Sequence, residues 1–121
     1  MRPKGYLAKS KRLVVKVGTS NITDEKSRLD QKKIKKLVDE VVGLRRRGKE
    51  VVIVTSGAIG AGMGRLGLSR RPTKMSRLQG AAAIGQGILM NAYGRHFDKH
   101  GQPVAQILAS REARSRAIFV L

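Results

Sequence analysis

The stretch Glu50-Val51-Val52-Ile53-Val54-Thr55-Ser56-Gly57-Ala58-Ile59-Gly60-Ala61-Gly62 decides the fold. Its first half is a run of β-branched residues, which pack well on a pleated surface and lose rotamer freedom in a helix, so it reads as a strand. Its second half consists mostly of glycine, alanine and serine, which break the strand and start a new element. Upstream, Arg12-Leu13-Val14-Val15-Lys16-Val17 is a second apolar run, ending at Gly18, and reads as a buried strand. Between the two, Ile34, Leu37, Val38, Val41, Val42 and Leu44 recur at helical spacing from about Asp30 to Arg47, with Asp30 or Ser27 as the N-cap and Gly48 as the stop. Strand, helix, strand in this order implies a parallel βαβ unit.

Downstream the same alternation continues. After a loop around Ser69 to Thr73, residues Met75 to Phe97 form a long helical candidate with Leu78, Ala82, Gly85, Leu89 and Tyr93 along one side. Its Gly80, Gly85 and Gly87 each weaken helicity by up to about 1 kcal/mol relative to Ala, so they are expected to permit close packing. Pro103 to Ala109 reads as a third strand, and Ser110 as the cap of a helix beginning near Arg111. The order βαβαβα predicts an α/β fold, a parallel sheet with helices on both faces. Residues 1–10 read as a loose basic tail and residues 11–121 as one domain.

Composition narrows the functions. The chain has 121 residues, 3% of them aromatic and none of them cysteine. Stacking platforms for single-stranded nucleic acid, disulfides and thiol catalysis are thereby disfavoured, and His96 and His100 alone make a poor metal site. The basic start leads into no apolar signal segment, and the longest low-charge stretch, Leu78 to Tyr93, is too short to span a bilayer, so a cytoplasmic protein without a membrane partner is expected. The 26 Lys and Arg against 8 Asp and Glu give a net charge of +18, but the cations fall in four separate places, and no acid lies between Glu50 and Asp98. A nucleic-acid module would gather them on one recognisable motif, so the charge reads as a solvated surface or a bias toward anionic ligands.

In parallel sheets, chemistry sits where strands turn into helices at their carboxyl ends. Two loops qualify. In Lys16-Val17-Gly18-Thr19-Ser20 a strand-end lysine precedes a glycine whose backbone can approach a phosphate closely. In Thr55-Ser56-Gly57-Ala58-Ile59-Gly60 small residues expose backbone N–H groups at a helix start, an anion-binding arrangement. Neither is a P-loop, because G-x-x-x-x-G-K-[ST] is absent. The Gly62-Met63-Gly64-Arg65-Leu66-Gly67 string starts too far beyond its strand, and lacks a downstream acid, for a dinucleotide fingerprint.

Taken together, Lys16-Val17-Gly18-Thr19-Ser20, Val52-Ile53-Val54-Thr55-Ser56-Gly57-Ala58-Ile59, Gln79-Gly80-Ala81-Ala82-Ala83-Ile84-Gly85-Gln86 and Val104-Ala105-Gln106-Ile107-Leu108 closely resemble the amino-acid kinase family, in its glutamate-phosphorylating branch. The resemblance covers about residues 11 to 112. It implies a three-layer αβα sandwich of the amino-acid kinase type, here incomplete: the N-terminal portion of a longer enzyme, inactive by itself. The implied reaction moves the γ-phosphate of ATP, with Mg2+ accompanying the nucleotide, to the side-chain carboxylate of L-glutamate, the first step of proline synthesis. By the same resemblance Lys16 would be catalytic, Lys16, Gly18 and Thr19 would hold phosphate, Ser56, Gly57 and Ala58 would hold glutamate, and the full-length enzyme would be a homo-oligomer. No metal ligand is assigned within the chain. Two other readings stand beside this one: the kinase portion of a bifunctional pyrroline-carboxylate synthase, and a basic nucleic-acid-binding remnant. After Arg111-Glu112 the family pattern fades.

Overall fold

In a computed structural model, described for residues 3–107 and 116–121, the chain runs α1 (Tyr6–Lys9), β1 (Arg12–Val17), a 3₁₀ turn at Thr19–Asn21, α2 (Gln31–Arg46), β2 (Glu50–Thr55), α3 (Ala58–Leu66), α4 (Met75–Asp98), β3 (Val104–Ile107) and β4 (Arg116–Val120). The β1–α2–β2 unit forms as the sequence predicts. Asp30 caps α2, its Oδ1 accepting from the N–H groups of Lys32 and Lys33 at 3.0 and 3.3 Å. β1 and β2 pair in parallel, with Leu13 beside Val51 and Val17 beside Thr55.

The four strands form one sheet in the order β1-β2-β4-β3. β4 runs antiparallel to both neighbours, so that Ile53 and Gln106 both face Ile118. β1, β2 and β3 therefore point the same way, as expected, with one counter-running strand inserted among them. The helix expected to begin near Arg111 falls within residues 108–115, which lie outside the described residues, and residues 116–120 are a strand. Ile118-Phe119-Val120 is a run of good β-formers, and the slot between β2 and β3 offers it hydrogen-bonding partners on both sides. Ile118 and Val120 are buried there.

α2 and α4 lie on one sheet face and share its core. Ile34, Val38, Val41 and Val42 of α2 and Leu89, Tyr93 and Phe97 of α4 pack with Leu13, Val17, Val51 and Ile53 of the strands. Burying each such side chain contributes roughly 1.5–3 kcal/mol, so this layer is the main source of stability. The other sheet face is open at its edge strand, where Arg12, Val14 and Lys16 are exposed, Val14 by 66%. The sandwich thus has one complete helix layer among the described residues, the incomplete form of the expected architecture. The tail differs from a loose segment: it carries the single turn α1, and Lys49 Nζ donates to the carbonyls of Ala8 and Ser10.

α3 and α4 meet backbone to backbone. A Cβ on Gly85 would lie 1.6 Å from the Ala58 carbonyl oxygen, and one on Gly62 would lie 1.8 Å from that of Ala81. Of the three α4 glycines expected to allow close packing, only Gly85 does so, because nothing lies within 4 Å of a Cβ at Gly80 or Gly87. Gly62, from the G-x-G-x-x-G string, is a packing residue inside α3. Two histidines tie α4 and the turn after it to α2: His96 Nε2 lies 2.8 Å from Gln31 Oε1, and His100 Nε2 lies 2.8 Å from Asp39 Oδ1, which belongs to a carboxylate that also pairs with Lys35. No helix among the described residues is long and apolar enough to cross a membrane.

Candidate phosphate and carboxylate site

Parallel pairing of β1 and β2 brings the two loops singled out in the sequence to one end of the sheet. Lys16 sits opposite Val54, and the Ser56 N–H donates to the Val17 carbonyl at 2.9 Å, joining the first residue of one loop to the last strand residue before the other. The 3₁₀ turn that follows Gly18 lies against α3: a Cβ on Gly60 would be 3.7 Å from Thr19 Cγ2. Lys16, Gly18 and Thr19 therefore come together with Ser56, Gly57 and Ala58.

The two halves are built differently. Gly18 has an ordinary extended backbone, φ −78°, so no conformational demand requires glycine there. What glycine gives at that position is an unobstructed approach to the backbone. Gly57 has φ 109°, which side chains rarely adopt, and a Cβ there would lie 3.0 Å from Ile22 Cδ1. This turn aims the first N–H groups of α3 outward, where the helix has no carbonyl to satisfy them. The Ser56 N–H is engaged with Val17, so its hydroxyl and the N–H groups of Gly57, Ala58 and Ile59 remain as donors. Below them Thr55, 1% exposed, bonds to the Ser56 carbonyl at 3.0 Å and to the Tyr93 hydroxyl at 2.9 Å. Burial pushes the Tyr93 phenol up to about 12, so it stays neutral and fixes Thr55 in place.

Sequence reasoning missed two contributors. Lys33 Nζ donates to the carbonyls of Ser20 and Thr23 at 3.2 and 2.8 Å, and Thr23 Oγ1 donates to the Thr19 carbonyl at 2.8 Å, so α2 straps down the loop after β1. Lys36, one turn further along α2, joins Lys16, Ser20, Asn21 and Lys33 around a cleft of about 470 Å³. The only signal for this pair was its i, i+3 spacing on the first turns of the helix. Gln86, next to Gly85, has both amide ends buried without a partner among the described residues. It closes the Gln79 to Gln86 segment that carries part of the family resemblance, where no role was assigned to it.

The site is electropositive on balance, three lysines lining the cleft with one carboxylate, Glu40. Lys16 is exposed and has no ion-pair partner among the described residues. Lysine ammonium groups beside free helix N–H groups suit phosphate and carboxylate oxygens. Among the described residues no group of three His, Cys, Asp or Glu could hold a metal ion.

A βαβ unit with two loops at the strand ends suited to anions fits the anion-binding α/β proteins, and the chain belongs to the amino acid kinase family, whose profile matches residues 11–119. Similar proteins carry the name glutamate 5-kinase. That of Moorella thermoacetica is 48% identical over 105 residues, covering 87% of this chain and 28% of the relative. Those of Marinomonas sp. and Clostridium tetani are 48% and 47% identical, covering 93% and 90% of this chain and 30% and 41% of the relatives. The chain therefore spans between a quarter and about two fifths of the length of these relatives.

Proposed function

We propose that the chain carries the phosphate-neutralising and carboxylate-binding part of a kinase that phosphorylates the side-chain carboxylate of L-glutamate. One carboxylate oxygen attacks the γ-phosphorus of ATP, the bond to the β–γ bridging oxygen breaks, and γ-glutamyl phosphate and ADP leave. This chemistry needs positioning and charge neutralisation rather than a covalent enzyme group. Lys16 neutralises the transferring phosphoryl group, and the backbone N–H groups at Gly18 and Thr19 hold its oxygens. The Ser56 hydroxyl and the N–H groups of Gly57 and Ala58 hold the glutamate. Mg2+ accompanying ATP would supply further neutralisation of the nucleotide's phosphates, beside that from Lys16.

The observation that carries this reading is the Ser56–Val17 hydrogen bond, which fixes the phosphate loop and the carboxylate loop side by side. The similarity to proteins named glutamate 5-kinase supports the choice of acceptor. The same reading has the protein working in the cytoplasm, as part of a homo-oligomeric enzyme that opens proline synthesis. The open sheet face at Val14 supports its working as part of a larger body. The test is a chimera in which residues 11–112 replace the matching segment of the Moorella thermoacetica enzyme. It should release ADP only when glutamate is present, and Lys16→Ala should lower kcat at least a hundredfold, about 2.7 kcal/mol of transition-state stabilisation. Glutamate-dependent turnover that survives Lys16→Ala would overturn the assignment.

A further inference from the structure

The sequence has no acid between Glu50 and Asp98, yet it places Arg70, Arg71, Lys74 and Arg77 in that interval. The fold gathers all four around a single cleft of about 640 Å³, between the α3–α4 connection and the start of α4. Its walls are apolar: Leu66, Leu68, Pro72 and Ile84 line it. Leu66, Leu68 and Ile84 are held 49%, 41% and 40% exposed, an unusual exposure for large aliphatic side chains gathered in one concavity. None of the four cations is paired with a carboxylate among the described residues. The cleft is preformed, because the walls on α3 and α4 are locked where Gly62 meets Ala81 and Gly85 meets Ala58. Its cationic end, at Arg70 to Arg77, follows the far end of α3 from Ser56, a helix whose nine residues span about 13 Å, while Ala81 and Ile84 extend the apolar wall back alongside α3.

We propose that this cleft binds a small amphipathic anion, an apolar chain or ring of drug-like size bearing one carboxylate. The volume falls in the range of small-molecule sites, roughly 300–1,000 Å³, which favours a compact ligand. The apolar walls take the body of the ligand. The guanidinium groups, whose forked donors match a carboxylate two bonds at a time, take its head. The inference does not rest on the kinase reading and stands if that reading fails.

The test is calorimetric titration of the 121-residue chain with decanoate, below its micellar range and at about 0.15 M salt, where diffuse attraction is screened. Saturable one-to-one binding is expected. The double change Arg71→Gln and Arg77→Gln should weaken it at least about tenfold, Ile84→Glu should abolish it, and Arg46→Gln, on exposed α2 surface, should leave it unchanged. Acetate or inorganic phosphate binding as tightly as decanoate would show a bare anion site and overturn the proposal. Equal binding of decyltrimethylammonium would overturn it as a mere greasy patch, and equal weakening by Arg46→Gln as a diffuse charge effect. Sedimentation showing that Ile84→Glu converts a stable dimer to monomer, with decanoate having no effect on either, would assign the cleft to a second copy of the chain instead.

Discussion

Gly85→Ala and Gly87→Ala make the same chemical change in the same helix, two residues apart, and should move stability in opposite directions. At Gly87 the added methyl meets nothing within 4 Å, so the effect is the ordinary helix preference of Ala, about 0.5–1 kcal/mol in favour of the variant. At Gly85 the methyl would sit 1.6 Å from the Ala58 carbonyl oxygen and 2.6 Å from the Gly62 nitrogen. Both obstacles are backbone, so no rotamer change relieves them, and α4 must retreat from α3 by roughly 1.4 Å to restore a contact of 3.0 Å. Such overpacking costs about 3 kcal/mol at the upper end of its usual range, and the helix preference returns about 1, leaving a net loss of about 2 kcal/mol. For a domain of this size 1 kcal/mol shifts Tm by about 4 °C, so Gly85→Ala should melt about 8 °C lower and Gly87→Ala about 2–4 °C higher. Thermal melts followed by far-UV circular dichroism, with urea titrations to check that the m-value is unchanged, measure both. Two variants shifting in the same direction would refute the close approach of α3 to α4.

Three further outcomes follow from the packing. Tyr93→Phe removes the hydroxyl that meets Thr55 and should cost about 1 kcal/mol in urea unfolding, with no change in m-value. Burial, and then the Lys99 and Arg95 charges, push His96 below its ordinary 6.5, so the unfolded chain binds a proton there before the folded one does. Stability should therefore be complete above pH 6.5 and fall as pH drops through that value toward the lowered folded one, and His96→Gln should flatten that slope in pH-dependent melts. The open sheet face should make the chain self-associate, and Val14→Lys should shift sedimentation velocity profiles toward monomer; a monodisperse wild-type monomer with a cooperative melt would contradict this.

What could be read from the sequence was whatever is decided within one turn or one strand. The runs at 12–17 and 50–55 declared strands, the spacing of Ile34, Val38 and Val41 declared α2, and its start was narrowed to Asp30 or Ser27, of which the structure uses Asp30. The loops carrying Lys16 and Ser56 were legible because a parallel βαβ unit must bring consecutive strand ends together. What escaped depended on partners distant in the chain. β4 was not foreseen because a short apolar run is a strand or a helix according to the slot it finds. The three α4 glycines looked alike, and only the helix opposite Gly85 distinguishes them. Lys33 looked like one more surface cation, although the carbonyls it binds belong to the loop on which the proposed phosphate site depends.

The strand order carries a consequence for how the molecule comes apart. Among the described residues β3 has no hydrogen-bonded neighbour in the sheet except β4, whereas β4 bonds to β2 as well. Detaching β4 therefore orphans β3, and the two must open as one cooperative unit, while β1 and β2 keep their parallel ladder and the α2–α4 layer above it. The amides of Ala105 and Ile107 would exchange with solvent in step with those of β4. The half of the sheet that presents Lys16 and Ser56 would be the last to yield.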